Sequence, residues 1–320
     1  MSMNVFYGIE KIDRDLKGSV ATLGVFDGLH IAHMKIVKRA IEKALEINRE
    51  SILITFEPHP RNVLNHYSLP MLTAPEEKIE LLEKENLDNM LFLKVDKTFL
   101  KTTADKFIKR FLIDRIGVSN VIVGYDYHFG SGREGSPDLL KEKGKLLGFG
   151  TEIFDPIEMD GETVRSSLIR KLLLNGEIRR ANRYLGRKYA FSGEVIRGSG
   201  RGKTLGFPTI NITPLSNVKL IPKRGVYFTS VIINHSSYYG ICNIGTRPTF
   251  GESEITIEIH LFLEDYLDFY GKEVFVNFLE RIRDENDFES MDDLKKQIEL
   301  DKKYCLNKID TVKVENGGII

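Results

Sequence analysis

At 320 residues and 36.6 kDa the chain is long for one compact domain, and its 42% hydrophobic and 29% charged residues fit a globular protein of two domains. Lys+Arg and Asp+Glu balance at 46 each, which leaves no basic excess of the kind that holds a nucleic-acid backbone, and no apolar run approaches the ~20 residues of a membrane span. Two distant cysteines, Cys242 and Cys305, make neither a disulfide framework nor a metal cluster and read as idle thiols of a reducing compartment.

The opening residues, MSMNVFYGIEKIDRDLKG, have no apolar core and are not read as a signal peptide, so the protein is expected in the cytoplasm. The first half then alternates apolar runs at 20–26, 51–57, 90–95, 120–124 and 151–156 with helical apolar spacing at 34–47, 76–85 and 104–116. Near-continuous apolar strands separated by helices predict a doubly wound parallel α/β sheet covered on both faces, with ligands at the carboxyl ends of its strands. Two short helices are expected at 166–175 and 177–186. From Tyr189 the pattern changes to six strands with turn signals, which predicts an antiparallel six-stranded β-barrel, followed by a C-terminal helix over 291–306. The expected domains are 1–186 and 187–320.

The segment GVFDGLHIAH (24–33) places His30 and His33 where a strand gives way to a helix. Backbone N–H groups and the helix dipole favour an anion there, and a spacing of three puts both imidazoles on one helix face. They could donate to a phosphate and stabilise the charge of a five-coordinate transition state. Asp27 could orient a histidine or help hold a metal. Zinc fits poorly, because the spacing is i, i+3 and neither an HExxH glutamate nor a third ligand lies nearby. Plain turn histidines remain the alternative on spacing alone.

In the second half, GSGRGKT (198–204) imitates a phosphate-binding P-loop. The required glycine position is Arg197, and a strand follows where a helix is needed. A glycine loop cradling phosphate on another fold remains open. In PTINI, strand alternation puts Thr209 and Asn211 on one face, a pair of hard oxygen donors suited to Mg²⁺ and ATP phosphates, or else an ordinary polar strand face. Glu258 shares a face with Thr256 and His260.

These stretches together resemble the bacterial bifunctional riboflavin kinase/FAD synthetase family. GVFDGLHIAH is similar to the GxFDGxHxGH signature of nucleotidyltransferases, and TFEPHP (55–60), GYDYHFGSGREG (124–135) and RSSLIRKLL (165–173) follow in the family's order. GEVIRGSGRGKTLGFPTINI (193–212) resembles the riboflavin kinase signature, followed by NIGTRPTF (243–250), TIEIHLFL (256–263) and RIRDENDFES (281–290). The resemblance covers about residues 15–306.

The resemblance implies that the barrel phosphorylates riboflavin to FMN with Mg-ATP and that the α/β domain adenylylates FMN to FAD, releasing pyrophosphate. Its substrates would be riboflavin, FMN and ATP, with no membrane, nucleic acid or obligate protein partner. It implies ATP and phosphate contacts at Gly24, Phe26, Asp27, Gly28, His30, His33, Ser166, Ser167 and Arg170 in the first domain. In the second it implies Gly202, Lys203, Thr209 and Asn211, the last pair also holding Mg²⁺. Glu258 would be the base that takes the riboflavin 5′-hydroxyl proton, and Asp126 and Arg283 would meet flavin.

Six positions depart from the family pattern, one of them Ile210 in place of the common alanine. Ala32 replaces glycine, Tyr127 and His128 stand where Phe and often Arg occur, Lys203 replaces arginine and Leu263 replaces aspartate. A kinase with a weakened adenylyltransferase, a flavin-binding regulator, or a nucleotidyltransferase for another substrate are the competing readings. The HIAH turn also resembles class I aminoacyl-tRNA synthetases, but no KMSKS-like segment is present.

Overall fold

The computed structural model describes residues 2–64, 69–198, 202, 206–248, 253–263 and 267–315. By packing, the chain divides into two compact units, Met1–Ser166 and Ser167–Ile320.

In the first unit six strands form one parallel sheet: β1 (Asn4–Tyr7), β2 (Val20–Leu23), β3 (Ser51–Glu57), β4 (Asn89–Lys94), β5 (Asn120–Gly124) and β6 (Gly150–Phe154), in the order β1-β4-β3-β2-β5-β6. The five apolar runs of the sequence each overlap a strand, and β2 and β3 are buried almost residue by residue, as strands covered on both faces must be. Alternate side chains feed two cores: Ile52, Ile54, Leu91 and Leu93 face one, and Leu53, Met90 and Phe92 face the other. Helix α1 (Ile31–Glu46) lays Ile36, Val37, Ala40 and Ala44 inward. Four more helical segments join the strands: α2 (Pro60–Leu64), α3 (Pro75–Glu83), α4 (Ala104–Phe107), which widens into π-helical turns over Ile108–Ile116, and α5 (Pro137–Leu147). The strand order reverses between β2 and β5, so a crevice is expected at their carboxyl ends. Beyond the sheet lies a small hairpin of β7 (Glu158–Met159) and β8 (Glu162–Thr163).

The second unit is a closed antiparallel barrel of β9 (Tyr189–Ile196), β10 (Ile210–Pro214), β11 (Gly225–Ile233), β12 (Ser236–Pro248), β13 (Ser253–Leu261) and β14 (Glu273–Arg283), in the order β10-β13-β12-β11-β14-β9. Burial alternates along β9, the signature of a strand with one face in the barrel. The C-terminal helix, α8, runs Met291–Glu315.

Helices α6 (Ser166–Asn175) and α7 (Ile178–Leu185) were expected to close the first domain at residue 186. By packing, the division falls between Ser166 and Ser167, so both helices go with the barrel. α7 buries Ile178, Ala181, Tyr184 and Leu185, and Asn182 donates to the Phe278 carbonyl on β14 at 2.9 Å and accepts from the Tyr189 amide on β9 at 2.6 Å.

Candidate active sites

The chain leaves β2 at Leu23 and enters α1 at Ile31 through a turn of unusual backbone: Phe26, Gly28 and Leu29 have φ of 50°, 92° and 40°. Glycine takes this region freely, whereas Phe and Leu occupy it only under restraint from their surroundings. The restraint is visible. Asp27 is 2% exposed, and its Oδ1 accepts from the Leu72 and Thr73 amides at 2.8 and 3.2 Å. The Asp27 carbonyl accepts from Ser166 Oγ at 2.8 Å. The Val25 carbonyl accepts from both Thr55 Oγ1 and Lys78 Nζ at 2.9 Å. Asp27 thus ties the turn to its neighbours, and its carboxylate is engaged with backbone amides.

His30 is the N-cap of α1, its Nδ1 accepting from the His33 amide at 3.4 Å. The two rings stack with centroids 3.6 Å apart and 17° between planes, and Phe26 meets the His33 ring edge-on at 5.2 Å. The spacing of three has brought both imidazoles together, as the sequence predicts. With Nδ1 as acceptor, His30 carries its proton on Nε2, which becomes the donor.

Two clefts meet at His33. The smaller, about 100 Å³, is lined by His30, Ala32, His33, Asp126, Arg165 and Ser166. The larger, about 880 Å³, is walled by Gly24 to Phe26, His33, Phe99, Asp126, Tyr127 and Arg133. His33, Ile36, Gly124 and Asp126 belong to both, so Asp126, at the end of β5, stands at the predicted switch point. Gly28 lies within the turn and lines neither cleft. Ser167 and Arg170 continue α6 beyond Ser166, exposed and half-buried respectively. His128 Nδ1 lies 2.8 Å from the Asp126 carbonyl oxygen and 3.2 Å from the Arg133 guanidinium. One tautomer donates to the carbonyl and the other accepts from the arginine.

In the barrel, Glu258 on β13 stands opposite Asn211 on β10 and Asn243 on β12. Ile257 and Ile259 point into the barrel core, so this Asn–Glu–Asn row lies on the outer face. Two glycines approach this region: a Cβ on Gly198 would strike Asn211, and one on Gly202 would strike the Phe207 carbonyl and come within 3.1 Å of Thr209 Oγ1. Lys203 lies outside the described residues. Thr209 and Asn211 line a cleft of about 310 Å³ with Arg197, Asp268, Phe269 and Tyr270, and Thr209 also borders a second of about 200 Å³ with His260 and Lys302. Burial lowers the His260 pKa, and the neutral ring's Nδ1 sits 3.0 Å from the Pro208 carbonyl. Glu258 itself lines neither cleft.

Arg283, expected at the flavin, is differently engaged. Its Nε and a terminal nitrogen donate to Asp301 on α8 at 3.0 and 2.8 Å, and its guanidinium lies 5.9 Å from the Phe288 ring centre. The fork is spent on holding α8 to β14. Sequence reading missed Lys78 and Thr55, which meet the turn from 53 and 30 residues away. The available signal was a lysine four residues before the fully buried Leu82, on the inward stripe of α3. It also missed Asn243, which only strand register places beside Glu258.

For Mg²⁺, the donors on this strand are a hydroxyl and an amide oxygen, and no group of three or more His, Cys, Asp or Glu is gathered as a metal site among the described residues. Such a sparse neutral set fits a cation that arrives with phosphate ligands of its own.

Residues 12–168 match the family model described as FAD synthetase, and residues 185–309 match that described as riboflavin kinase. The bifunctional riboflavin kinase/FMN adenylyltransferase of Haemophilus influenzae is 35% identical over 301 residues, 93% of this chain and 97% of the relative. That of Bacillus subtilis is 33% identical over 90% of this chain and 92% of the relative. A crystal structure from Streptococcus pneumoniae, described as a macrolide-efflux protein, superposes with a TM-score of 0.87 at 28% identity, covering 96% of this chain and 99% of that one. Among the described residues no helix is long and apolar enough to cross a membrane. With both family models matched in order and curated relatives aligned nearly end to end, the chain belongs to the bifunctional riboflavin kinase/FMN adenylyltransferase family.

Proposed function

We propose that the two activities are divided between the units, residue by residue as follows. The barrel phosphorylates riboflavin with ATP. Glu258 takes the proton from the riboflavin 5′-hydroxyl as that oxygen attacks the γ-phosphorus and ADP leaves, with Asn211 and Asn243 opposite it in the strand register. The glycine loop around Gly202 and Lys203 covers the phosphates. Thr209 and Asn211 would hold Mg²⁺, which when bound neutralises phosphate charge during transfer.

In the α/β unit the FMN phosphate attacks the α-phosphorus of a second ATP. The large cleft, with Phe99 and Tyr127 in its wall, has the size and apolar surface for the flavin, and the smaller cleft takes the nucleotide phosphates. His33, in the shared wall, and His30 donate to the phosphate on which charge develops. Ser166, in the wall of the smaller cleft, offers its hydroxyl to the leaving pyrophosphate. Riboflavin, FMN and ATP are the small-molecule partners. Burial raises the pKa of the Cys242 and Cys305 thiols and so keeps them protonated and unreactive.

The observations that support this reading are the stacked imidazoles of His30 and His33 at the start of α1 and the register that sets Glu258 opposite Asn211. The test offers the protein riboflavin or FMN with Mg-ATP and separates the flavins by chromatography. Glu258→Ala is expected to abolish FMN formation and spare FAD formation from FMN, and His30→Ala to do the reverse. Loss of both activities in either folded variant contradicts the division of labour.

A further inference from the structure

Lys78 is fully buried, and a lysine in that position is costly. Methionine would fill the same space with no charge to desolvate, so packing alone does not account for it. Its Nζ reaches the Val25 carbonyl, in the turn between β2 and α1, at 2.9 Å, and Thr55 Oγ1 reaches the same oxygen at the same distance. Asp27 and Glu57 are the charged groups that act on the ammonium, raising its pKa against the depression from burial.

A carbonyl gripped by two donors fixes the plane of its peptide. In a trans peptide the C=O and N–H point opposite ways, so pulling the Val25 oxygen inward turns the Phe26 N–H outward. Gly24, Val25 and Phe26 line the large cleft, and the Phe26 N–H makes no hydrogen bond with any described residue. Phe26 also carries the left-handed φ of 50°, a conformation that needs an external hold.

We propose that Lys78 is a positioning residue for FMN adenylylation: with Thr55 it locks the Val25–Phe26 peptide so that the Phe26 N–H is aimed into the large cleft as a ready-made donor to a phosphate oxygen of the FMN bound there. This deepens the site reading given above and rests on it. Thr55 and Lys78 act behind the turn and touch no substrate; they set the direction of a donor that does.

The experiment uses the full chain with Lys78→Met, which keeps the volume and removes the donor, and Lys78→Gln, which keeps a neutral donor. Lys78→Met is expected to lower kcat for FAD formation about 100-fold while the KM for FMN stays within threefold and riboflavin phosphorylation by the same molecules stays within twofold. Lys78→Gln is expected to recover at least tenfold of the loss, since the hydrogen bond sets the peptide plane. Thr55→Val covers the case of a misfolded Lys78→Met, and should lower FAD formation about tenfold with an unchanged melting temperature for the first unit. FAD formation within threefold of the parent in Lys78→Met, equal loss in the Met and Gln variants, or no change in Thr55→Val each overturns the proposal. His30→Ala assayed alongside separates the two levels. Its loss of FAD formation with Lys78→Met intact removes only the positioning role, and no loss in either removes the site reading as well.

Discussion

Ala32 occupies the second residue of α1, where φ is negative and the side chain sits in the wall of the smaller cleft. Glycine would contribute freedom that this helical position does not use, and the conformations that need it fall earlier, at Phe26, Gly28 and Leu29. Ala32→Gly is therefore expected to leave kcat/KM for FAD formation within threefold of the parent and to lower stability by up to about 1 kcal/mol. A tenfold gain in FAD formation would show that the methyl obstructs the phosphates. The same logic applies to His128. Arg133 brings a guanidinium to within 3.2 Å of the His128 ring, in the same cleft wall. Arg133 therefore places a positive charge in that wall, five residues on from His128.

At the level of elements, the pair Arg283–Asp301 joins β14 to α8. The Asp301 side chain is 4% exposed and that of Arg283 19%, so the contact is largely withdrawn from water. Gln297 also donates to Asp301 at 2.9 Å. Removing the carboxylate leaves a mostly buried guanidinium without its counter-charge. Asp301→Ala is expected to cost roughly 3 kcal/mol, given the partial exposure of the arginine, and to lower the melting temperature of the barrel unit by roughly 6–12 °C. A shift below 2 °C would mean that α8 is held by its apolar contacts alone. The role of Arg283 illustrates where sequence reading stops. Patterns within one element were legible: the barrel strands, the inner strands of the sheet and the histidine pair all depend on period and local spacing. β1 was missed because four residues of mixed burial at a sheet edge carry no clear period. Lys78, Thr55, Asn243 and the Arg283–Asp301 pair depend on which elements meet, and that is decided by the whole sheet or barrel.

For the molecule as a whole, the division by packing falls just before Ser167 and Arg170, residues expected to serve the first domain's chemistry, so the question is which unit needs α6 and α7. Their helical period showed an apolar face but could not say what that face would cover. The two family models leave residues 169–184 between them. Packing assigns the helices to the barrel: α7 buries Ile178, Tyr184 and Leu185 to within 2% of full burial, and Asn182 satisfies backbone groups on β9 and β14. Burying a large apolar side chain is worth about 1.5–3 kcal/mol, so these three alone supply on the order of 5 kcal/mol, a large part of a stability that is typically ~5–15 kcal/mol. A fragment of residues 167–320 is therefore expected to melt cooperatively and to convert riboflavin to FMN. A fragment of residues 187–320 should lack a cooperative transition, because it exposes the surface α7 covers and leaves the Phe278 carbonyl without its Asn182 donor. Calorimetry and a riboflavin phosphorylation assay on the two fragments decide it. Equal melting temperatures and equal rates would place the functional boundary at 186/187, with the helices dispensable to the barrel despite their burial. Activity confined to the longer fragment would make α6 and α7 part of the kinase unit.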